Sequence, residues 1–220
     1  MKLTLSAAAI VLLAGMPAPA HRLDEYLQGT IISVEKNRIN AQITLTPGVA
    51  VFQVLLADID TDGNGVISTI EQRAYADRVL GDLSLRIDDQ ALALQLLSME
   101  FPAIEEMKAG RGQIRIEFSA NLPRGGRDRK LIFENHHQRA IAAYQVNCLV
   151  PRDPDIRILT QNRNYTQSFY ELDFAQAGAQ SGLGTFALLL AAGLTLLWRR
   201  LAGYRWGGLS RLRTRPQILT

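Results

Sequence analysis

The sequence predicts a mainly β protein: a β-sandwich-like ectodomain that carries an inserted helix-loop-helix and is followed by one transmembrane helix. Three observations lead there. Short runs of alternating apolar and polar residues recur between turn signals over residues 30–174, the pattern of half-buried strands. Between the second and third runs, the apolar residues switch to a spacing of three and four on both sides of an acidic, glycine-containing stretch, which is the spacing of a helix face. Beyond residue 181, apolar and small residues continue without a charge until Arg199, the composition of a membrane span.

At the start of the chain, Lys2, the apolar stretch Leu3 to Leu13 and Ala18-Pro19-Ala20 fit a signal peptide with an A-x-A cleavage site over residues 1–20. The mature chain then begins at His21. Residues 21–174 form the β-rich domain, periplasmic in the orientation argued below. Its first strands are Thr30 to Val34 and Ile39 to Leu45, a hairpin around Glu35-Lys36-Asn37-Arg38. Leu83 to Ile87 alternates again, Asp88-Asp89-Gln90 turns, and Ala91 to Leu97 continues. The remaining strand candidates are Gln113 to Phe118, Leu131 to Glu134, Ala140 to Val150, Ile156 to Thr160 and Ser168 to Phe174. Seven or eight short strands separated by turns favour a sandwich.

Residues 175–181 read as a linker, rich in Gln, Ala and Gly. Gly182 to Trp198 reads as the span; at 1.5 Å per residue it covers roughly 25 Å, sufficient if Trp198 and Arg199-Arg200 sit at the interface. Every charge in residues 199–220 is an arginine. The positive-inside rule then makes this a basic cytoplasmic tail and sets the β-rich domain on the other side, in an inner-membrane protein.

The inserted stretch, with helices expected over residues 49–80, is the most specific chemical signal. Asp60-Thr61-Asp62-Gly63-Asn64-Gly65-Val66-Ile67-Ser68-Thr69-Ile70-Glu71 places oxygen donors at alternate positions, as a hard cation requiring six to eight oxygens demands. Asp60, Asp62 and Asn64 would supply side-chain oxygens, Val66 its carbonyl, Ser68 a direct or water-bridged contact, and Glu71 both carboxylate oxygens. Gly65 suits the sharp turn, and Ile67 is the apolar residue that turns back toward the helices. An Asx-rich surface turn would use similar residues, but the flanking helical spacing, Val49, Phe52, Leu55, Leu56 and Ile59 before and Ile70, Ala74, Tyr75, Val79 and Leu80 after, favours the metal loop. The stretch resembles the EF-hand family over residues 49–80, which implies calcium (Ca2+) as the ligand. A single loop outside the cytoplasm, where weak sites are filled, suits a structural clip better than a sensor.

Charge narrows the partners. All 21 acidic residues lie within residues 21–180 beside 17 of the 24 basic ones, so the ectodomain is net acidic and the sequence pI of 9.2 belongs to the tail. A basic tail directly after a span fits anionic headgroups better than nucleic acid. The implied partners are the lipid bilayer and a membrane protein. One cysteine, Cys148, excludes an internal disulfide and reads as a buried small hydrophobe on a strand. No Gly-x-Ser-x-Gly, His-Glu-x-x-His or Cys-x-x-Cys occurs, so no enzyme class is indicated. Arg124-Gly125-Gly126-Arg127-Asp128-Arg129-Lys130 reads as a solvated turn, and Glu105-Glu106-Met107-Lys108 as a surface loop.

The histidines carry an alternative. His21, once amino-terminal, would offer an α-amine and an imidazole, a chelate suited to copper(II) or nickel(II). His136 and His137 would add a third nitrogen if the fold brings them close, although adjacent histidines at a strand end point to opposite faces. Residues 21–28, Leu45 to Ala50 and Asn147 to Pro151 resemble the extracytoplasmic amino-terminal region of bacterial membrane proteins of the HupE/UreJ type, a likeness over residues 21–174 that implies nickel or related metal handling. Proteins of that type continue into several membrane helices carrying histidine and aspartate; residues 182–198 contain neither. The sequence thus points first to a membrane-anchored, extracytoplasmic calcium-binding protein with a binding or scaffolding role, and second to an accessory of transition-metal handling.

Overall fold

The computed structural model describes residues 24–177. The signal peptide, His21, the linker after Ala177, the transmembrane helix 182–198 and the tail 199–220 lie outside the described residues. Within them, 46% of residues are in strands and 17% in helices, which makes the domain mainly β. No helix among the described residues is long and apolar enough to cross a membrane.

The chain opens with a hairpin, β1 (Tyr26–Val34) and β2 (Arg38–Pro47), longer at both outer ends than the alternation of Thr30 to Leu45 suggests. Two helices follow, α1 (Phe52–Ile59) and α2 (Thr69–Gly81), then β3 (Leu83–Ile87), β4 (Gln90–Ala91) and β5 (Gln95–Glu100). After the short α3 (Ile104–Lys108) come β6 (Ile114–Asn121), β7 (Asp128–Asn135), β8 (Ala142–Cys148), β9 (Ile156–Arg163) and β10 (Phe169–Gln176). They make two five-stranded sheets, ordered β5-β6-β2-β1-β8 and β4-β3-β7-β10-β9. The arrangement is consistent with a sandwich-like domain. Pairing is antiparallel except between β1 and β8, which run parallel.

Alternation does its expected work on β2, where every second residue from Ile39 to Pro47 is buried, and on β10, where Tyr170, Leu172, Phe174 and Gln176 are buried. Of these, Ile39, Ala41, Ile43, Leu45, Tyr170, Leu172 and Phe174 join Phe118, Leu131 and Phe133 in one core, each fully buried large apolar side chain contributing about 1.5–3 kcal/mol.

Several expectations are corrected. The run Ala91 to Leu97 is not one strand. Asp88 and Asp89 both take positive φ, 48° and 67°, making the tight two-residue turn that returns β4 onto β3. The chain then crosses to the other sheet, where β5 pairs with β6. Local alternation does not record which neighbour a strand bonds to. Glu105 to Lys108 lies in helix α3, not a loop, because Met107 anchors it in the core at 1% exposure. Arg129 is not a solvated turn residue; it is buried on β7, with Nε donating to Asp88 Oδ2 at 2.5 Å and Nη1 to the Pro123 carbonyl at 3.1 Å. Residues 175 and 176, expected in the linker, complete β10.

The helix-loop-helix is inserted between β2 and β3 as expected. At eight residues, α1 is too short to persist alone; it stands because Phe52, Leu55 and Ile59 are buried on one face. On α2 the buried residues are Glu71, Tyr75, Ala76 and Val79. Val49, Ile70 and Ala74, expected on the inner faces, are exposed, and Ala76 takes the inward place on α2. Val49 precedes the helix and Ile70 sits at the first turn on the outer side of α2. Arg78 ties the helices together, donating from Nη1 to Asp58 Oδ1 and from Nη2 to the Asp58 carbonyl, both at 2.9 Å.

Candidate metal centre

The loop between α1 and α2 starts at the C-terminal end of one helix and finishes in the first turn of the next. Asp60 caps α1, its amide bonding the Leu56 carbonyl. Ser68 caps α2 with a reciprocal capping box: its hydroxyl accepts from the Glu71 amide at 3.3 Å and its amide donates to Glu71 Oε2 at 2.9 Å. Such a box satisfies two helix-end donors at once. It also fixes the Glu71 side chain back toward the start of the loop, where Oε1 accepts from the Thr61 amide at 2.7 Å.

The remaining donors are drawn inward by the same kind of bond. Asp60 Oδ2 accepts from the Gly65 amide at 2.9 Å and Asp60 Oδ1 from the Asn64 amide at 3.2 Å. Asp62 Oδ1 takes the Asn64 amide and its Oδ2 the Asn64 side-chain Nδ2, at 3.1 and 2.8 Å. Asn64 Oδ1 accepts from the Val66 amide at 2.8 Å. The turn depends on Gly65, whose φ of +79° lies in the left-handed region that strains any residue with a Cβ.

Asp60, Asp62 and Glu71 therefore each present a carboxylate oxygen, all within 4.8 Å of one another. Asp60 and Glu71 are buried and Asp62 is exposed, so the group opens to solvent on one side. An all-oxygen set of this kind suits a hard cation. The Glu71 carboxyl is held down at about 2, first by the Ser68 amide and hydroxyl and then by the Thr61 and Asp62 amides. Its charge is thus present across the physiological range.

Of the six predicted ligands, the structure brings the three carboxylates together, while Asn64 turns its Nδ2 to Asp62 and its Oδ1 to the Val66 amide. Val66 turns its side chain to solvent, with 65% exposed. The Ser68 hydroxyl is spent on the α2 cap, donating to Glu71 Oε2 at 2.8 Å. Ile67 packs against the core as expected.

A second constellation lies one helical turn beyond Glu71 and was not legible as a motif. Tyr75 Oη is 2.7 Å from Tyr26 Oη and 3.0 Å from His137 Nε2, and His137 Nδ1 is 2.8 Å from Asp82 Oδ2. An ionised carboxylate only accepts, so Nδ1 carries the imidazole proton, Tyr75 donates to Nε2 and Tyr26 donates to Tyr75. Burial pushes the His137 imidazole below 6.5, outweighing the opposing pull of Asp82. Burial likewise raises both tyrosines, so the whole chain of bonds is held neutral up to Asp82.

Every polar atom of His137 is engaged. Its amide donates to Asn135 Oδ1, and its carbonyl accepts from Gln28 Nε2 and Tyr144 Oη; Asn135 Nδ2 closes the circuit on Gln28 Oε1. A trace of this network existed in the sequence. Alternation along β1 puts Gln28 on the inner face with Tyr26 and Ile32, and a buried polar residue requires partners.

The two adjacent histidines do point apart. His136 is exposed, with Nε2 3.0 Å from Glu134 Oε2 and Nδ1 bonded to Arg139. As folded, His137 has no nitrogen free for a metal. Cys148 lies on β8 as expected but is only half-buried, and burial lifts its thiol to about 11. No model of a known family matches the chain, and no curated protein does so either.

Proposed function

We propose that this is a membrane-anchored, extracytoplasmic calcium-binding protein whose helix-loop-helix is a structural EF-hand and whose β-domain has a binding or scaffolding role. The observation that carries the reading is the convergence of Asp60, Asp62 and Glu71 within 4.8 Å around a left-handed Gly65, at the loop positions an EF-hand uses. Calcium bound there would neutralise these carboxylates and tie the end of α1 to the start of α2. The residues do the rest: Ser68 aims Glu71, Asp60 holds the turn through the Gly65 amide, and Arg78 keeps the helices paired.

The role is that of a clip. The loop is flanked by helices already fixed by core residues and by the Arg78–Asp58 ion pair, so the ion's binding energy adds to stability more than it moves the helices. The anchor rests on the apolar run 182–198 and the all-arginine charge that follows it.

A thermal melt of the full-length protein in detergent, with and without calcium, tests the reading. At ten times the dissociation constant, calcium adds about 1.4 kcal/mol, and Tm rises by a few degrees. An unchanged Tm at 10 mM calcium, with magnesium equally silent, would remove the clip.

A further inference from the structure

The two ends of the domain differ in chemistry. At one end lie the helix pair, Tyr26 and His137, with the start of β10 close by. The other end is made by the β1–β2 turn and the segments 122–127 and 149–155, and there the described chain finishes. Gln176 donates from its amide to the Arg127 carbonyl at 2.7 Å and from Nε2 to the Lys36 carbonyl at 2.9 Å, and the Ala177 amide donates to the Asp155 carbonyl at 2.6 Å.

The exit end carries an apolar protrusion. Val150 is 88% exposed and Leu149 51%, next to Pro151. With Ile156 and Ile158 they line a shallow cleft of about 270 Å³. Single exposed apolar residues are ordinary, whereas contiguous ones mark a contact surface. Arg152 and Arg157, both exposed, lie beside it, and Lys36 neutralises Asp155 at 3.1 Å.

Chain length decides the occupant. Only five peptide units separate Ala177 from Gly182, where the apolar run begins, and they reach at most about 18 Å. The Asp155 end of the domain is therefore held close to any bilayer that residues 182–198 cross. We propose that Leu149-Val150-Pro151 is a membrane-seating tip that inserts into the interfacial layer of that bilayer, with Arg152 and Arg157 at the level of the lipid phosphates. The inference rests on the membrane anchor of the proposed function. It sets the metal loop at the far end of the domain, toward the aqueous space.

The test uses the full chain with Cys148→Ser and a nitroxide at Val150→Cys, reconstituted into vesicles of phosphatidylethanolamine and phosphatidylglycerol. The same label at Tyr165→Cys, in the fully exposed loop before β10, is the reference. The tip predicts a several-fold higher ratio of oxygen to nickel-chelate collisions at position 150 than at 165. Equal ratios overturn it, as does dipolar broadening at 150 that grows with protein density, which would assign the surface to a second copy. A readout without new cysteines is trypsin cleavage after Arg152: Val150→Asp should raise it several-fold in vesicles, and an unchanged rate counts against the tip. Flotation after an alkaline carbonate wash reports the anchor separately. A chain that washes off refutes the span and the tip together, whereas one that floats with a nickel-exposed label refutes the tip alone.

Discussion

Glu71 and Tyr75 stand one turn apart on the buried face of α2, and each closes a different structure. Glu71 Oε1 reaches back to the Thr61 amide at 2.7 Å and shuts the loop. Tyr75 Oη joins Tyr26 at 2.7 Å and His137 at 3.0 Å, fastening the same helix to β1 and to the segment after β7. The three-carboxylate loop is thereby joined to the sheets through a single helical turn.

Glu71→Gln tests the loop. The amide keeps one acceptor oxygen and loses the other, so calcium affinity should fall at least about tenfold, or 1.4 kcal/mol, by isothermal titration. In the absence of calcium the loss of one set of amide partners should lower the urea midpoint. Acid acts on the same group. Its folded-state pKa of about 2 lies below the ordinary 4.5, so its stabilising contribution is complete above pH 4.5 and is lost as pH falls toward 2. An NMR titration of the Glu71 carboxyl with a midpoint near 4.5 would contradict the hydrogen-bonded loop.

Ser68→Ala separates a cap from a ligand. The hydroxyl is committed to Glu71, so its loss should cost about 1 kcal/mol of stability equally with and without calcium. If the penalty appears only in the calcium-bound protein, Ser68 is a ligand and its role as a cap is secondary.

Tyr75→Phe removes the hydroxyl on which Tyr26 and His137 both depend, leaving two buried polar groups unpaired. A loss of about 1–3 kcal/mol is expected, or about 2–4 °C in Tm per kcal/mol for a domain of this size. Tyr26→Phe together with Tyr75→Phe should cost less than the sum of the two. Strict additivity in that double-mutant cycle would mean the hydroxyls do not interact.

His137 predicts a separate pH effect. Its folded-state pKa is lowered from 6.5 by burial, so the unfolded chain takes up the proton first. Stability is complete above pH 6.5 and falls as pH drops below it, until the folded-state value is passed. Urea unfolding at pH 7.5 and 5.5 should show a lower midpoint at 5.5, and His137→Gln should flatten the difference. A midpoint that rises on acidification would reverse the assigned protonation.

The sequence alone settled what depends on local spacing. The β-rich class, the place of the helix pair between the second and third strands, and the convergence of Asp60, Asp62 and Glu71 all follow from residues within a dozen positions of one another, because periodicity and loop geometry are short-range properties. Only the tertiary structure decided the rest. That β1 pairs in parallel with β8, that the run after Asp89 divides between two sheets, and that His137 is locked between Asp82 and Tyr75 depend on residues 15 to 116 positions apart. A buried hydrogen-bond network draws its partners from wherever the fold delivers them. The identity of each partner is written in the chain, but their meeting is set by packing.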